Sequence, residues 1–196
     1  MYQYFSVYKP FGMLSQFTRE ADHPSLADLN YKFETDIYPV GRLDTDSEGL
    51  LLLTNDTRVN NRLLSPINAH RRTYFAQVEG EIDTESLKKM MKGLELSHNG
   101  KPYTTRDCDT ERITEPSTLP ERFPPVRFRK EIPTSWVSLT LTEGKNRQVR
   151  KMTAAVGFPT LRLIRMSIEE LEIDWIPGTV TEWDKHVFYK KLHLKF

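Results

Sequence analysis

The chain has 196 residues, of which 38% are hydrophobic and 28% charged, with a formal net charge of +1. That length supports a substantial core in one domain or two closely packed subdomains. The longest purely aliphatic stretch, Leu50 to Leu53, falls far short of the ~20 residues that cross a bilayer. Met1 to Phe5 lacks the basic-then-apolar layout of a secretory signal. Cys108 is the single cysteine, which excludes an internal disulfide and a thiolate metal cluster. The composition is that of a soluble cytoplasmic protein with no membrane segment.

A net charge of +1 does not by itself announce a nucleic-acid binder. Its distribution is uneven. From Arg127 to Arg165 there are nine basic residues and two acids; from Met166 to Asp184 there are six acids and no Lys or Arg. One basic face suited to a polyanion is one expectation, and an ordinary solvated surface is the other.

In chain order, Phe5 to Tyr8 alternates weakly and ends at Lys9-Pro10-Phe11-Gly12, a strand running into a turn. Tyr38-Pro39-Val40-Gly41 leads into an acidic loop, and Leu50 to Thr54 reads as a strand buried on both faces. Thr73 to Glu79 alternates, with Tyr74, Ala76 and Val78 on one side. Thr84 to Lys92 is predicted as a helix with Leu87, Met90 and Met91 inward and Gly93 as its stop. The stretch 115–133 carries five prolines and reads as a long loop. Trp136 to Thr142 alternates with Val137, Leu139 and Leu141 inward. The spacing of Val149, Met152 and Val156 predicts a helix over 146–156, stopped by Gly157 and followed by Pro159. Leu161 to Ile168 alternates as a further strand. Many strands, few helices and mixed order predict an α+β fold around a largely antiparallel sheet flanked by helices and loops.

Gly41-Arg42-Leu43-Asp44-Thr45-Asp46-Ser47-Glu48-Gly49 packs three acids into five residues just before a wholly apolar run. Asp44, Asp46, Glu48 and Gly49 match positions 1, 3, 5 and 6 of a calcium loop, but position 12 is Asn55, which supplies no bidentate carboxylate. Four consecutive leucines then replace the remaining loop ligands. No metal is expected, and a reactive carboxylate remains. Such a group is ionised at neutral pH unless burial intervenes, and an arginine beside it holds the charge. Arg147, Arg150 and Lys151 share one face of the predicted helix, opposite its apolar stripe.

Four blocks occur in order: Lys9-Pro10-Phe11-Gly12; Gly41 to Leu50; Arg72-Thr73-Tyr74; and Glu143-Gly144-Lys145-Asn146-Arg147-Gln148-Val149-Arg150-Lys151-Met152. Together they resemble the RsuA family of ribosomal RNA pseudouridine synthases over nearly the whole chain, and the stretch Gly144 to Arg165, with Pro125 to Trp136 before it, is most similar to its large-subunit branch. The resemblance implies the pseudouridine synthase catalytic fold, one catalytic domain over 1–196 with subdomains 1–68 and 69–196, and an active-site cleft between them. Many relatives carry an N-terminal S4 domain, for which a chain starting almost at Lys9-Pro10 leaves no room.

The resemblance further implies isomerisation of a uridine to pseudouridine without cofactor or energy source. Asp44 matches the catalytic aspartate; addition to the base, attack on the ribose and abstraction of a ribose proton are all open to it. Tyr74 matches the active-site tyrosine that stacks on the uracil, and Arg150 the arginine that pairs with the aspartate. Arg42 sits where relatives insert an arginine into the RNA stack as the target base leaves. Lys9 and Pro10 belong to a supporting motif, and Leu163 is a candidate wall of the uracil pocket. Arg127, Arg129, Lys130, Lys145, Arg147 and Lys151 are candidate phosphate contacts, which set affinity and register rather than sequence. The implied partner is 23S ribosomal RNA in its peptidyl-transferase region, met by a monomer. The alternative is a non-catalytic RNA-binding or ribosome-assembly factor on the same fold.

Overall fold

The computed structural model describes residues 1–98, 100–126 and 132–195. Along the chain lie β1 (Tyr4–Lys9), β2 (Tyr38–Pro39), β3 (Glu48–Thr54), α1 (Thr57–Leu64), β4 (Arg72–Glu79), α2 (Thr84–Met91), β5 (Glu95–His98) and β6 (Lys101–Thr104). They are followed by β7 (Asp109–Ile113), β8 (Thr134–Leu141), α3 (Gln148–Ala155), β9 (Thr160–Ile168), β10 (Leu171–Glu172), β11 (Val180–Glu182) and α4 (Lys185–Lys191). The predicted α+β class holds. The chain forms two units: Met1–His70 with Ile164–Phe196, and Arg71–Leu163. The chain passes between the units at 70/71 and again at 163/164, so the segment from Ile164 onward groups with the first unit.

In the first unit β1 pairs antiparallel with both β11 and β3, while β2 pairs with the end of β3. Every residue of β3 is buried. The four leucines therefore serve both faces, as a run without alternation predicts. Leu51 and Leu53 join Phe5, Val7, Met13, Leu26, Ile37 and Leu43 in one core cluster. At the start of β3 the partner changes: Glu48 and Gly49 run parallel to Ile164 and Arg165 of β9. A Cβ on Gly49 would lie 2.3 Å from the Arg165 carbonyl oxygen and 2.6 Å from its nitrogen, and Gly49 holds φ at +105°. Only glycine allows that approach. The Arg165 side chain then turns back to donate from Nε to the Leu50 carbonyl at 2.7 Å.

Lys9, at the end of β1 and opposite Gly49, is wholly buried. Its ammonium donates to the carbonyls of Pro10 (3.1 Å) and Met13 (2.7 Å). Burial lowers its pKa to about 8, against the pull of Glu48, Asp46 and Asp44. A second buried charge, Asp56, caps α1 by accepting from the Arg58 amide. It also accepts from the hydroxyls of Tyr4 (2.9 Å) and Tyr189 (2.7 Å), so one carboxylate fastens β1, α1 and α4. The Arg58 guanidinium, ahead of the two phenols, holds that carboxyl far below the usual range.

In the second unit β8 lies between β4 and β7, antiparallel to both. Ala76, Val78, Val137, Leu139 and Leu141 pack with Leu87 and Met90 of α2 and with Val149 and Met152 of α3. Met91, expected inward, is 39% exposed; α2 has only two turns, and its buried face is filled by Leu87 and Met90. The hairpin β5–β6 forms a small sheet of its own. The described part of the proline-rich stretch, through Val126, contains no helix or strand after β7.

Gly49→Ala should lower the unfolding free energy by roughly 3 kcal/mol or more, because the clash is with backbone that cannot rotate away. Gly144→Ala, with no heavy atom within 4 Å of the added Cβ, should be near neutral; urea denaturation of the two variants checks the contrast. Lys9 supplies a pH test. Between about 8 and 10.5 only the unfolded chain retains the Lys9 proton, so stability rises with pH across that window. Relative to Lys9→Met, the wild type should gain roughly 3 kcal/mol from neutral pH to about pH 10. A stability difference between the two proteins that is constant with pH would contradict the burial of a charged lysine.

Candidate active site

The acidic loop of the first unit is built from the inside. The Ser15 hydroxyl donates to the Leu43 carbonyl at 2.8 Å and accepts from the Leu43 amide at 3.0 Å. One side chain thus satisfies both backbone groups of the residue before Asp44. Gly12 N donates to Thr45 O at 2.8 Å on the other side of the aspartate, and Ser47 N to Asp44 O at 3.0 Å closes the turn. Leu43 is buried in the core cluster, whereas Asp44 is half-buried and Arg42 exposed. The loop therefore presents two chemically distinct groups in three residues: a shielded carboxylate, and a guanidinium in solvent.

Asp46 and Glu48 differ from Asp44 in their settings. Glu48 is 3% exposed and belongs to β3, with the Tyr8 hydroxyl 3.5 Å from its carboxylate. Asp46 is half-buried and acts, like Glu48 and Asp44, on the buried Lys9 ammonium. Lys9 spends its cation inside the fold, beneath the loop that carries Asp44.

Three carried-over residues lie in the second unit. Tyr74 sits on β4 opposite Leu139, half-buried against the core cluster. Arg150 lies on α3, and its guanidinium reaches the Thr160 carbonyl at 3.4 Å. Leu163 is 6% exposed and part of the core cluster of this unit.

The candidate phosphate contacts divide. Lys145 and Arg147 are exposed; the Lys145 ammonium stands 6.0 Å from the centre of the Tyr103 ring. Lys151 donates to the Ser97 carbonyl of β5 at 3.1 Å. Arg127, Arg129 and Lys130 lie outside the described residues. The helix begins at Gln148 rather than at residue 146, because Arg147 takes a left-handed conformation (φ 53°, ψ 32°) at its N-cap. Glu143 and Gln148, unassigned in the sequence reading, bond to one another below that turn. Ser15 was missed as well; no local signal links it to Leu43, 28 residues away.

Among the described residues, no group of three His, Cys, Asp or Glu is placed to hold a metal ion. Burial pushes the Cys108 thiol up to about 11, which removes it as a nucleophile at neutral pH. Among the described residues, no helix is long and apolar enough to cross a membrane.

Residues 3–155 match the model of the RNA pseudouridylate synthase family. A Vibrio parahaemolyticus protein named ribosomal large subunit pseudouridine synthase E is 47% identical over 171 residues, 87% of this chain and 69% of that protein. A protein of the same name from Xanthomonas campestris pv. campestris is 46% identical over 82% of this chain and 83% of its own length. A crystal structure of a pseudouridylate synthase superposes with a TM-score of 0.78 over 97% of this chain and 74% of that one, at 24% identity, which speaks for the fold. The chain belongs to the RNA pseudouridylate synthase family.

Proposed function

We propose that this protein converts a uridine of large-subunit ribosomal RNA to pseudouridine, with Asp44 as the catalytic carboxylate. The observation that carries the reading is the identity of 44–47% to several proteins named ribosomal large subunit pseudouridine synthase E. The geometry around Asp44 supports it. A carboxylate on a loop fixed at Leu43, Thr45 and Ser47 needs little reorganisation when a nucleotide arrives.

The reaction breaks the bond from ribose C1′ to uracil N1, turns the base, and forms a bond from C1′ to C5. The proton displaced from C5 is lost and N1 is protonated, so product and substrate contain the same atoms and no cofactor is consumed. Asp44 is the group that reacts with or deprotonates the nucleotide. In this reading, which the resemblance carries, Tyr74 is the residue that stacks on the uracil and Arg150 the arginine assigned to the catalytic carboxylate. The target base must first leave its helix, at a cost of a few kcal/mol. Arg42 is suited to fill the gap, since its planar guanidinium is exposed two residues from the carboxylate. Lys145 and Arg147, both exposed, hold phosphates and set register. The uridine lies in the peptidyl-transferase region, and the enzyme acts as a cytoplasmic monomer.

Asp44→Asn preserves shape and removes the charge. It should leave RNA affinity within about twofold and slow pseudouridine formation by about a thousandfold or more. Filter binding together with pseudouridine mapping of rRNA from cells carrying only the variant measures both. Wild-type protein that binds rRNA yet leaves the pseudouridine map unchanged when deleted would instead indicate a binding or assembly factor.

A further inference from the structure

We propose that Gln148, braced by Glu143, is a positioning residue that shapes the Lys145–Arg147 turn into an RNA-phosphate contact; the inference rests on the pseudouridine synthase reading of the same chain. Gln148 is the first residue of α3 and is 4% exposed. Its amide works in two directions. Nε2 donates to Glu143 Oε1 at 2.5 Å, and Oε1 accepts from the Lys145 amide at 3.0 Å. The same Glu143 oxygen accepts from the Arg106 amide at 2.9 Å, and Gln148 N donates to Lys145 O at 3.1 Å. The turn from Glu143 to Gln148 is thereby closed by side chains at both ends and secured to the segment before β7.

This closure has a local consequence. Arg147, squeezed between the braced Gln148 and the bonded Lys145, holds φ 53° and ψ 32°, and α3 starts with no side-chain cap. A left-handed arginine is uncommon and persists where surrounding bonds impose it. The turn carries three exposed residues in a row, Lys145, Asn146 and Arg147. Two cations on a turn of fixed shape lose less freedom on meeting phosphate than two on a loose loop. An amide is the residue type the brace needs: it must donate to a carboxylate and accept from a backbone N–H at once.

The test is Gln148→Glu, with the exchanged pair Glu143→Gln/Gln148→Glu. In the single variant two carboxylates face each other and cannot both ionise freely. RNA affinity should fall about tenfold at about pH 8 and recover toward wild type at about pH 6, where the two share a proton. The exchanged pair keeps one amide and one carboxylate at these two positions, so no like-charge pair remains to titrate, and its RNA affinity should be the same at both pH values. The rate at saturating RNA should stay within about twofold in each variant, since only binding geometry is altered. A merely structural role would lower folded fraction, affinity and rate together, without rescue by pH.

If Gln148→Glu does not fold, Gln148→Met reads the same brace: it fills the site without either bond. It should weaken binding and flatten the dependence of affinity on salt, because fewer phosphates are engaged. Folded Gln148→Glu or Gln148→Met that matches wild-type affinity at about pH 8 overturns the proposal, as does a folded exchanged pair whose affinity falls between about pH 6 and about pH 8 as the single variant's does. Pseudouridine formation by the wild type, measured on the same protein-free large-subunit rRNA, tests the underlying reading separately.

Discussion

The close approach of β3 to β9 at Gly49 is the constraint on which the first unit depends. A backbone carbonyl and amide of Arg165 occupy the space where any other residue would put a Cβ. That contact lets a parallel pairing begin at Glu48, one residue after the acidic loop ends. It also lets the Arg165 side chain reach back to the Leu50 carbonyl. The loop preceding Gly49 thus springs from a point fixed on both sides, by β1 at Lys9 and by β9 at Arg165. A carboxylate that must meet one atom of a nucleotide gains from such a base, since small displacements cost large factors in rate.

Charge is handled in the same region by burial rather than exposure. Lys9, Glu48 and Arg165 are each at most 5% exposed. A buried ion pair is seldom a net source of stability, because desolvation offsets most of the attraction. What Lys9 supplies is a fixed positive charge acting on Glu48, Asp46 and Asp44, at the cost seen in its depressed pKa. Asp56 uses the same device at the far end of β3, where one carboxylate fastens two tyrosines and a helix start. Buried charge thus marks both ends of β3, with Lys9, Glu48 and Arg165 at its start and Asp56 just past its end.

Much of this was legible in the chain. The leucine run, the alternation of β4 and β8 and the stripe of α3 each gave an element within about two residues of its observed bounds, as periodicity allows. The acidic loop stood out by residue type alone, whereas the choice of Asp44 within it came from the resemblance and stands as a proposal. Other features were out of reach for physical reasons. Glu48 and Gly49 read as loop because nothing local reveals a partner at Ile164 and Arg165. The helix α3 was expected two residues early because propensity does not report a left-handed Arg147. Helices α1 and α4 span eight and seven residues, too short for a clear period, although Asp56 and Asp184 are ordinary N-cap signals.

Charge counting was the least faithful guide, and the reason is geometric. The window from Arg127 to Arg165 holds nine basic residues, yet a cation serves a polyanion only if its head remains in solvent. Arg165 is buried and turned toward Leu50, and Arg162 is buried with a bond to the Pro120 carbonyl. Arg150 and Lys151 are half-buried and donate to the carbonyls of Thr160 and Ser97. Within the described part of the window, the exposed cations are Lys145 and Arg147. Sequence windows overestimate the electrostatic footprint on RNA because long basic side chains also satisfy orphan carbonyls. In the second unit that second use fastens β5, β9 and the proline-rich stretch, and among the described residues of the window it leaves the exposed cations on one short turn.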